Sequence, residues 1–173
     1  MPFTPFHLGP GLAIKSLIPR QFSLSMFALA NVVMDIEPAY RMLRIQMPVH
    51  GWTHTLPGAL LIAAGSVLFG RHLITQGWRC YARLSDEIGE PFHMTWLQAW
   101  LGALIGTVSH LLLDAVMHED LHPFAPWSDA NPLLMTAWML HLHLACILAG
   151  MLGMLILLGR AAFSQEKLST PHR

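Results

Sequence analysis

The sequence predicts an all-α fold, an integral membrane bundle of about five helices in which the first two form a short hairpin. Three observations predict it. The chain of 173 residues is 54% hydrophobic and only 12% charged, with a mean hydropathy of +0.47, whereas soluble domains carry about 25% charged residues. Three long apolar segments follow one another, and about 20 apolar residues suffice to cross a bilayer core. Two shorter apolar segments precede them, separated by a proline turn.

The elements follow in order. Leu8–Ile18 and Phe22–Met34 are each too short to span alone, and Ile18-Pro19-Arg20 between them reads as a turn, because proline disfavours helix in the residue before it. Pro57–Gly70 (PGALLIAAGSVLFG) is the next helix and extends as far as Leu73. Thr95–Met117 is long enough to span, and Pro132–Gly159, ending in ILAGMLGMLILLG, is the most apolar of all. Residues 1–160 thus make one membrane-embedded helical domain, and residues 161–173 a polar, disordered tail. The N-terminal MPFTPFHLGPGLAIK lacks the basic start and apolar run of a cleavable signal, so insertion through internal helices is expected.

Composition also excludes. The ten basic and ten acidic residues cancel, so there is no basic excess to suit nucleic acid. Cys80 and Cys146 fall in different predicted segments and are expected as free thiols, with no CxxC zinc ribbon.

Ionisable residues in such a chain are a functional hypothesis by default. His110 and Asp114 lie in the last third of TWLQAWLGALIGTVSHLLLDAVM, and His118 and His122 extend the same four-residue step. Each step of four on an α-helix turns a side chain by only about 40° and lifts it by about 6 Å, so His110, Asp114 and His118 project from one face. His110 and His118 are then about 12 Å apart along the axis and cannot readily share one ion, while Asp114 between them could bridge two. The plainer alternative for His-x3-Asp is a histidine hydrogen-bonded to its helix neighbour. Within an apolar span that alternative weakens, because unpaired polar groups there cost several kcal/mol.

Charge placement tests the layout. If the first two segments return on themselves, Lys15, Arg20, Arg71, Arg79, Arg83, Arg160, Lys167 and Arg173 share one side, and only Arg41 and Arg44 oppose these eight. The positive-inside rule makes the basic side, with the C-terminus, cytoplasmic. His7, Asp35, His50, His54, His118 and His122 then gather at the outer face, with His110 and Asp114 just below. Three imidazoles and two carboxylates (His7, Asp35, His54, His110 and Asp114) form a suitable ligand set for zinc first, manganese as the alternative, as one or two ions. Each has a plainer reading: Asp35 a carboxylate at a helix exit, His54 part of an interfacial loop, His7 an exposed N-terminal side chain. His141 and His143, two residues apart, face nearly opposite sides of a helix, so at most one could complete a second metal or line the bundle.

At these residues the chain resembles bacterial inner-membrane proteins described as membrane-bound metal-dependent hydrolases. The matching pieces are PFTPFH, a helix ending in MDIEP, HGWTHT and SHLLLDAVMHED, in family order across roughly residues 2–127. That family is similar, in ligand order, to zinc-dependent phospholipase C and single-strand-specific zinc nucleases. Carried over residue by residue, the order falls on His7, Asp35, His54, His110 and Asp114. The resemblance implies a bridging Asp114 and an activated water that attacks a phosphoester. The His-x3-Glu that those enzymes use for another zinc has no counterpart here.

The expectation is therefore a multi-pass bacterial inner-membrane hydrolase with its site near the periplasmic face. Its partners would be membrane lipids and a small-molecule or lipid substrate. Asp114, His118 and His122 are the candidates for catalytic roles, and His50, with His118 and His122, for a general acid, a support behind a ligand, or a second metal. The alternative is a non-catalytic membrane metal-binding protein, as structural site, sensor or transporter. Crowding of the ionisable residues at one end argues against transport, which needs them near the midplane.

Overall fold

A computed structural model describes residues 5–84 and 93–169. The start of PFTPFH, residues 85–92 between the third and fourth apolar segments, and the last residues of the tail lie outside the described residues. Among these, every regular element is helical, in agreement with the expected class. A 3₁₀ turn, Pro5–His7, leads into α1 (Leu8–Leu17), which is followed by α2 (Leu24–Leu43). A second 3₁₀ turn, Trp52–His54, precedes α3 (Leu56–Gly65), a π-helical segment (Ser66–Gly70) and α4 (Arg71–Leu84). Then come α5 (Trp96–Met117), the 3₁₀ turn Thr136–Trp138 and α6 (Met139–Ser169). Since α3, the π segment and α4 run on without a break, the bundle consists of five rods. Three stretches are long and apolar enough to cross a membrane: Leu56–Arg83, Trp96–Met117 and Thr136–Gln165.

Local chemistry sets the helix starts. Ser23 caps α2 by accepting from Met26 N–H, and Thr55 caps α3 by accepting from Gly58 N–H. Thr95 and Gln98 form a capping box at α5, each side chain serving the other's backbone N–H. At the tip of the first hairpin, Lys15 Nζ donates to the carbonyls of Pro19 and Phe22 at 2.6 and 2.8 Å, which ties the turn to α1.

Packing of α2 on α5 builds the centre. The buried stripe of α2 is Met26, Phe27, Ala30, Asn31, Met34, Asp35 and Pro38, and that of α5 includes Ala99, Gly102, Ala103, Gly106, His110 and Asp114. The small residues of α5 let the two backbones approach closely. A Cβ on Gly102 would stand 2.6 Å from the Ser23 carbonyl oxygen, and one on Gly106 3.0 Å from that of Phe27. The same contact carries Asn31 and Asp35 onto His110. Gly102→Leu should therefore push α2 off α5 at a cost of about 1–3 kcal/mol, a fall in Tm of roughly 2–12 °C. Gly65→Ala is the control, since nothing lies within 4 Å of a Cβ there; an equal fall in both variants would refute the close-approach account.

On the other side, α1 lies across α6 through glycines. A Cβ on Gly153 would meet Ala13 N and Leu12 C, both at 2.6 Å, and one on Gly150 would meet Gly9 Cα at 3.0 Å. This contact holds His7 at the head of α1 over the end of α5.

Several boundaries depart from the sequence expectation. α2 does not end near Met34 but continues past a buried Pro38 to Leu43, so Asp35 is a buried helix residue and not a carboxylate at an exit. The third helix does not stop by Leu73 but runs on to Leu84, because Leu73, Ile74, Trp78 and Tyr81 give this charged stretch an apolar side at helical spacing. Its first arginine is anchored, with Arg71 Nε donating to the Met94 carbonyl at 2.9 Å and the guanidinium 4.4 Å from the Trp96 ring centre. The last helix begins at Met139 rather than Pro132, since the intervening chain is used to cap α5. There Asn131 Nδ2 donates to the Ala115 carbonyl at 2.7 Å and Met135 N to that of Val116 at 2.9 Å. That helix also persists to Ser169, through part of the expected disordered tail, where AAFSQEKL supplies good helix formers. Cys80 and Cys146 are free, as expected.

Candidate metal centre

Asp35, His54, His110 and Asp114 meet where the middle of α2 packs against the C-terminal turns of α5, all of them buried, and their ligand atoms lie within 4.8 Å of one another. Three elements supply them: α2 gives Asp35, the Trp52–His54 turn gives His54, and α5 gives His110 and Asp114 one turn apart. His110 Nε2 stands 3.2 Å from His54 Nε2, 3.2 Å from Asp35 Oδ1 and 3.2 Å from Asp114 Oδ2. His54 Nε2 stands 3.3 Å from Asp114 Oδ2.

These distances decide between two accounts. An imidazole nitrogen has one in-plane position, for a proton or a lone pair, and cannot serve three neighbours by hydrogen bonding. Zinc bonds nitrogen and oxygen at about 2.0–2.2 Å, and the corners of a tetrahedron of that size are roughly 3.3–3.6 Å apart. These four separations, 3.2–3.3 Å, fall at or just below this edge length. Three nitrogen and oxygen donors packed around one imidazole nitrogen therefore fit a shared cation better than a proton-only network. Two imidazoles with two carboxylates suit zinc, and manganese also accepts such donors.

The two imidazoles are held from behind. Asn31 Oδ1 accepts from His110 Nδ1–H at 2.9 Å, which leaves the His110 Nε2 lone pair facing the cluster. Asn31 is itself fixed by Nδ2 donating to the Phe27 carbonyl at 2.8 Å. His54 Nδ1–H donates to Thr53 Oγ1 at 3.0 Å, and that hydroxyl donates to Glu37 Oε2 at 2.7 Å. Glu37 Oε2 also accepts from Thr53 N at 2.9 Å, while Arg41 Nη2 and Nε pair with Oε1 at 2.8 and 3.0 Å. Burial alone would raise the Glu37 carboxyl, but the bonds from Thr53 and Arg41 outweigh it and hold the group below its ordinary range. Burial lowers the His54 imidazole below its ordinary value. Thr53→Val should leave the fold intact and weaken cation binding about 10–100-fold, the usual effect of losing a partner behind a ligand; a chelator competition titration reads this, and unchanged affinity would refute the relay.

His7 sits beside this group rather than within it. Its Nδ1 is 2.9 Å from His110 Nδ1. Its Nε2 is buried, has no hydrogen-bond partner and lies 3.3 Å from Asp114 Oδ1. The two oxygens of Asp114 thus face different neighbours: Oδ2 faces His54 and His110, and Oδ1 faces His7 and, at 3.9 Å, His118 Nε2.

The remaining histidines separate. His118 does not continue the helix; it is the C-cap of α5 with extended backbone angles, and falls with His50 and Asp114 in a second group. His122 does not share that face. It is exposed in the following loop and donates from Nδ1 to the Asp129 carbonyl at 2.6 Å, outside both groups. The helical step that would have carried it ends because Asn131 and Met135 take the last α5 carbonyls. The His141 ring lies tilted against Trp138 and the His143 ring meets Phe6 edge-to-face, and neither belongs to the centre.

Sequence reasoning missed Asn31, although it precedes Asp35 by four residues on the same helix face. Behind His50, Asp120 Oδ1 meets His50 Nδ1 at 2.8 Å, while its Oδ2 accepts from Val49 N and His50 N at 2.7 and 3.1 Å. Burial would raise the Asp120 carboxyl, yet these bonds prevail and hold it at about 2.

No protein-family description, curated protein or solved structure matches the chain.

Proposed function

We propose that the chain is a membrane-bound metal-dependent hydrolase, acting on a phosphoester or other ester of a lipid or amphipathic substrate. The observation that carries this reading is the buried Asp35–His54–His110–Asp114 group, with its donor atoms at the spacing of a cation's ligands. A bound divalent ion would acidify a water and polarise a phosphoryl or carbonyl oxygen. The chain's own residues do the rest. Glu37, Thr53 and Asn31 orient the imidazoles, and the two Asp114 oxygens divide between the buried group and the more open His118 side.

The surroundings favour an amphipathic substrate. An apolar groove of about 370 Å³ starts at Trp52, two residues from His54, and passes Leu29, Val33, Ile62 and Phe69 to Leu73. It lies along a rod long and apolar enough to span a membrane. A headgroup near the histidines would leave an acyl chain alongside this groove. The resemblance to bacterial inner-membrane proteins and the clustering of basic residues at the opposite end support an inner membrane, with the site outward and the C-terminus cytoplasmic. A reporter fused after Arg173 should accordingly be active only in the cytoplasm; periplasmic activity would reverse the orientation.

One observation favours the non-catalytic alternative for the buried ion. Its four protein donors would by number close a tetrahedral shell, and closed sites are structural while catalytic ones keep a position open. The deciding experiment is metal analysis of the purified chain together with hydrolysis of phosphodiester, phosphomonoester and carboxylester lipids. Metal-dependent turnover that disappears in Asp114→Asn is expected. Stoichiometric metal with no turnover of any substrate class would leave the structural reading in its place.

A further inference from the structure

We propose a second divalent-cation site, built by His50, Asp114 and His118, that shares the Asp114 carboxylate with the buried group and keeps one coordination position open to the outside. It rests on the metal reading of the buried group and deepens it, because it supplies the open position that the four-ligand set lacks.

The geometry carries it in three parts. Donor atoms of His50, Asp114 and His118 lie within 4.8 Å of one another, and the rings of His50 and His118 are 4.3 Å apart. Asp114 has an oxygen for each set, since Oδ2 is taken up by His54 and His110 while Oδ1, 3.3 Å from His7 Nε2, also lies 3.9 Å from His118 Nε2. His50 is prepared as a ligand. Its Nδ1 is bound by Asp120, a carboxylate that also grips the backbone N–H groups of Val49 and His50, which leaves Nε2 free. A carboxylate behind the far nitrogen is the usual support of a metal-bound histidine.

Exposure separates the two sets. The side chains of His54 and His110 are 0% and 1% exposed, that of His118 is 24% exposed. Three protein ligands with solvent access is the pattern of a catalytic ion, and four buried ligands that of a structural one. The sequence offers His50 and His118 as candidates for a second metal but does not join them, because His50 comes from a loop 64 positions before Asp114 and His118 reaches the site only by leaving the helix.

The test is zinc titration of the full chain in detergent after removal of bound metal, followed by equilibrium dialysis. Wild type should bind two equivalents, the second more weakly. His118→Ala and His50→Ala should each bind one. Asp120→Asn should weaken only the second step, about 10–100-fold. The exposed His122→Ala should keep both. His118→Asn, at a half-exposed position, serves if the alanine variant misfolds. A single wild-type equivalent that His110→Ala removes and His118→Ala leaves unchanged overturns the second site and leaves the buried one standing. Two equivalents retained in both His50→Ala and His118→Ala also overturn it. No stoichiometric zinc in wild type overturns both sites.

Discussion

His110→Ala is expected to be the most damaging single change, lowering stability by about 3–5 kcal/mol, the cost of breaking a buried charged pair, and Tm by roughly 6–20 °C. His110 Nε2 is the hub of the buried group, within 3.2 Å of Asp35, His54 and Asp114. Its loss removes the imidazole that contacts both buried carboxylates and leaves Asp114 with only His54, His7 and the more distant His118 beside it. Hydrolysis should vanish with it. Glu119→Ala, in an exposed position just past α5, should change neither quantity. Tryptophan fluorescence melting reports the Tm, and a His110→Ala protein as stable as wild type would show that the cluster is not a cohesive unit.

Metal removal should have the next largest effect. A cation present at about a thousand times its dissociation constant stabilises the folded state by about 4 kcal/mol, so stripping it should lower Tm by roughly 8–16 °C. Zinc should restore the loss. Magnesium and calcium should not, since they prefer all-oxygen surroundings and two of the four ligands are imidazoles. Identical melting with and without chelator would argue that the four residues hold one another by hydrogen bonds alone. Combined with Thr53→Val, the same measurement separates affinity from folding. The relay variant should melt like wild type at saturating zinc and earlier at limiting zinc.

Much of the site is legible in the sequence because its strongest element is local. His110 and Asp114 are four apart on one helix, and helical geometry alone puts them on one face. Asp35 and His54 are recoverable from the way the apolar segments fold back, since polar residues inside apolar stretches gather where they can satisfy one another. The supporting residues are a different matter. Thr53 and Glu37 are 16 positions apart, and Asp120 and His50 70 apart. No periodicity links such pairs, because the chain between them is irregular and its course depends on packing.

Helix ends show the same division. The sequence places the apolar helices but misjudges where several stop, because a helix stops where other groups take its last carbonyls. Asn131 and Met135 perform that service for α5, and so decide that His118 turns outward and His122 leaves the site. Likewise, apolar side chains keep Arg71–Leu84 helical despite its arginines.

By itself the sequence determined the all-helical class, the apolar segments that become the spans, the gathering of histidines and aspartates at one end, and the His110–Asp114 pair, for all of these follow from hydropathy and the 3.6-residue turn. Only the tertiary structure decided which histidines belong together, which oxygen of Asp114 faces which neighbour, and which carboxylate or amide stands behind each ring. Those depend on how closely α2 can approach α5 across Gly102 and Gly106, and on loops whose paths are set by long-range hydrogen bonds rather than by any local preference of the chain.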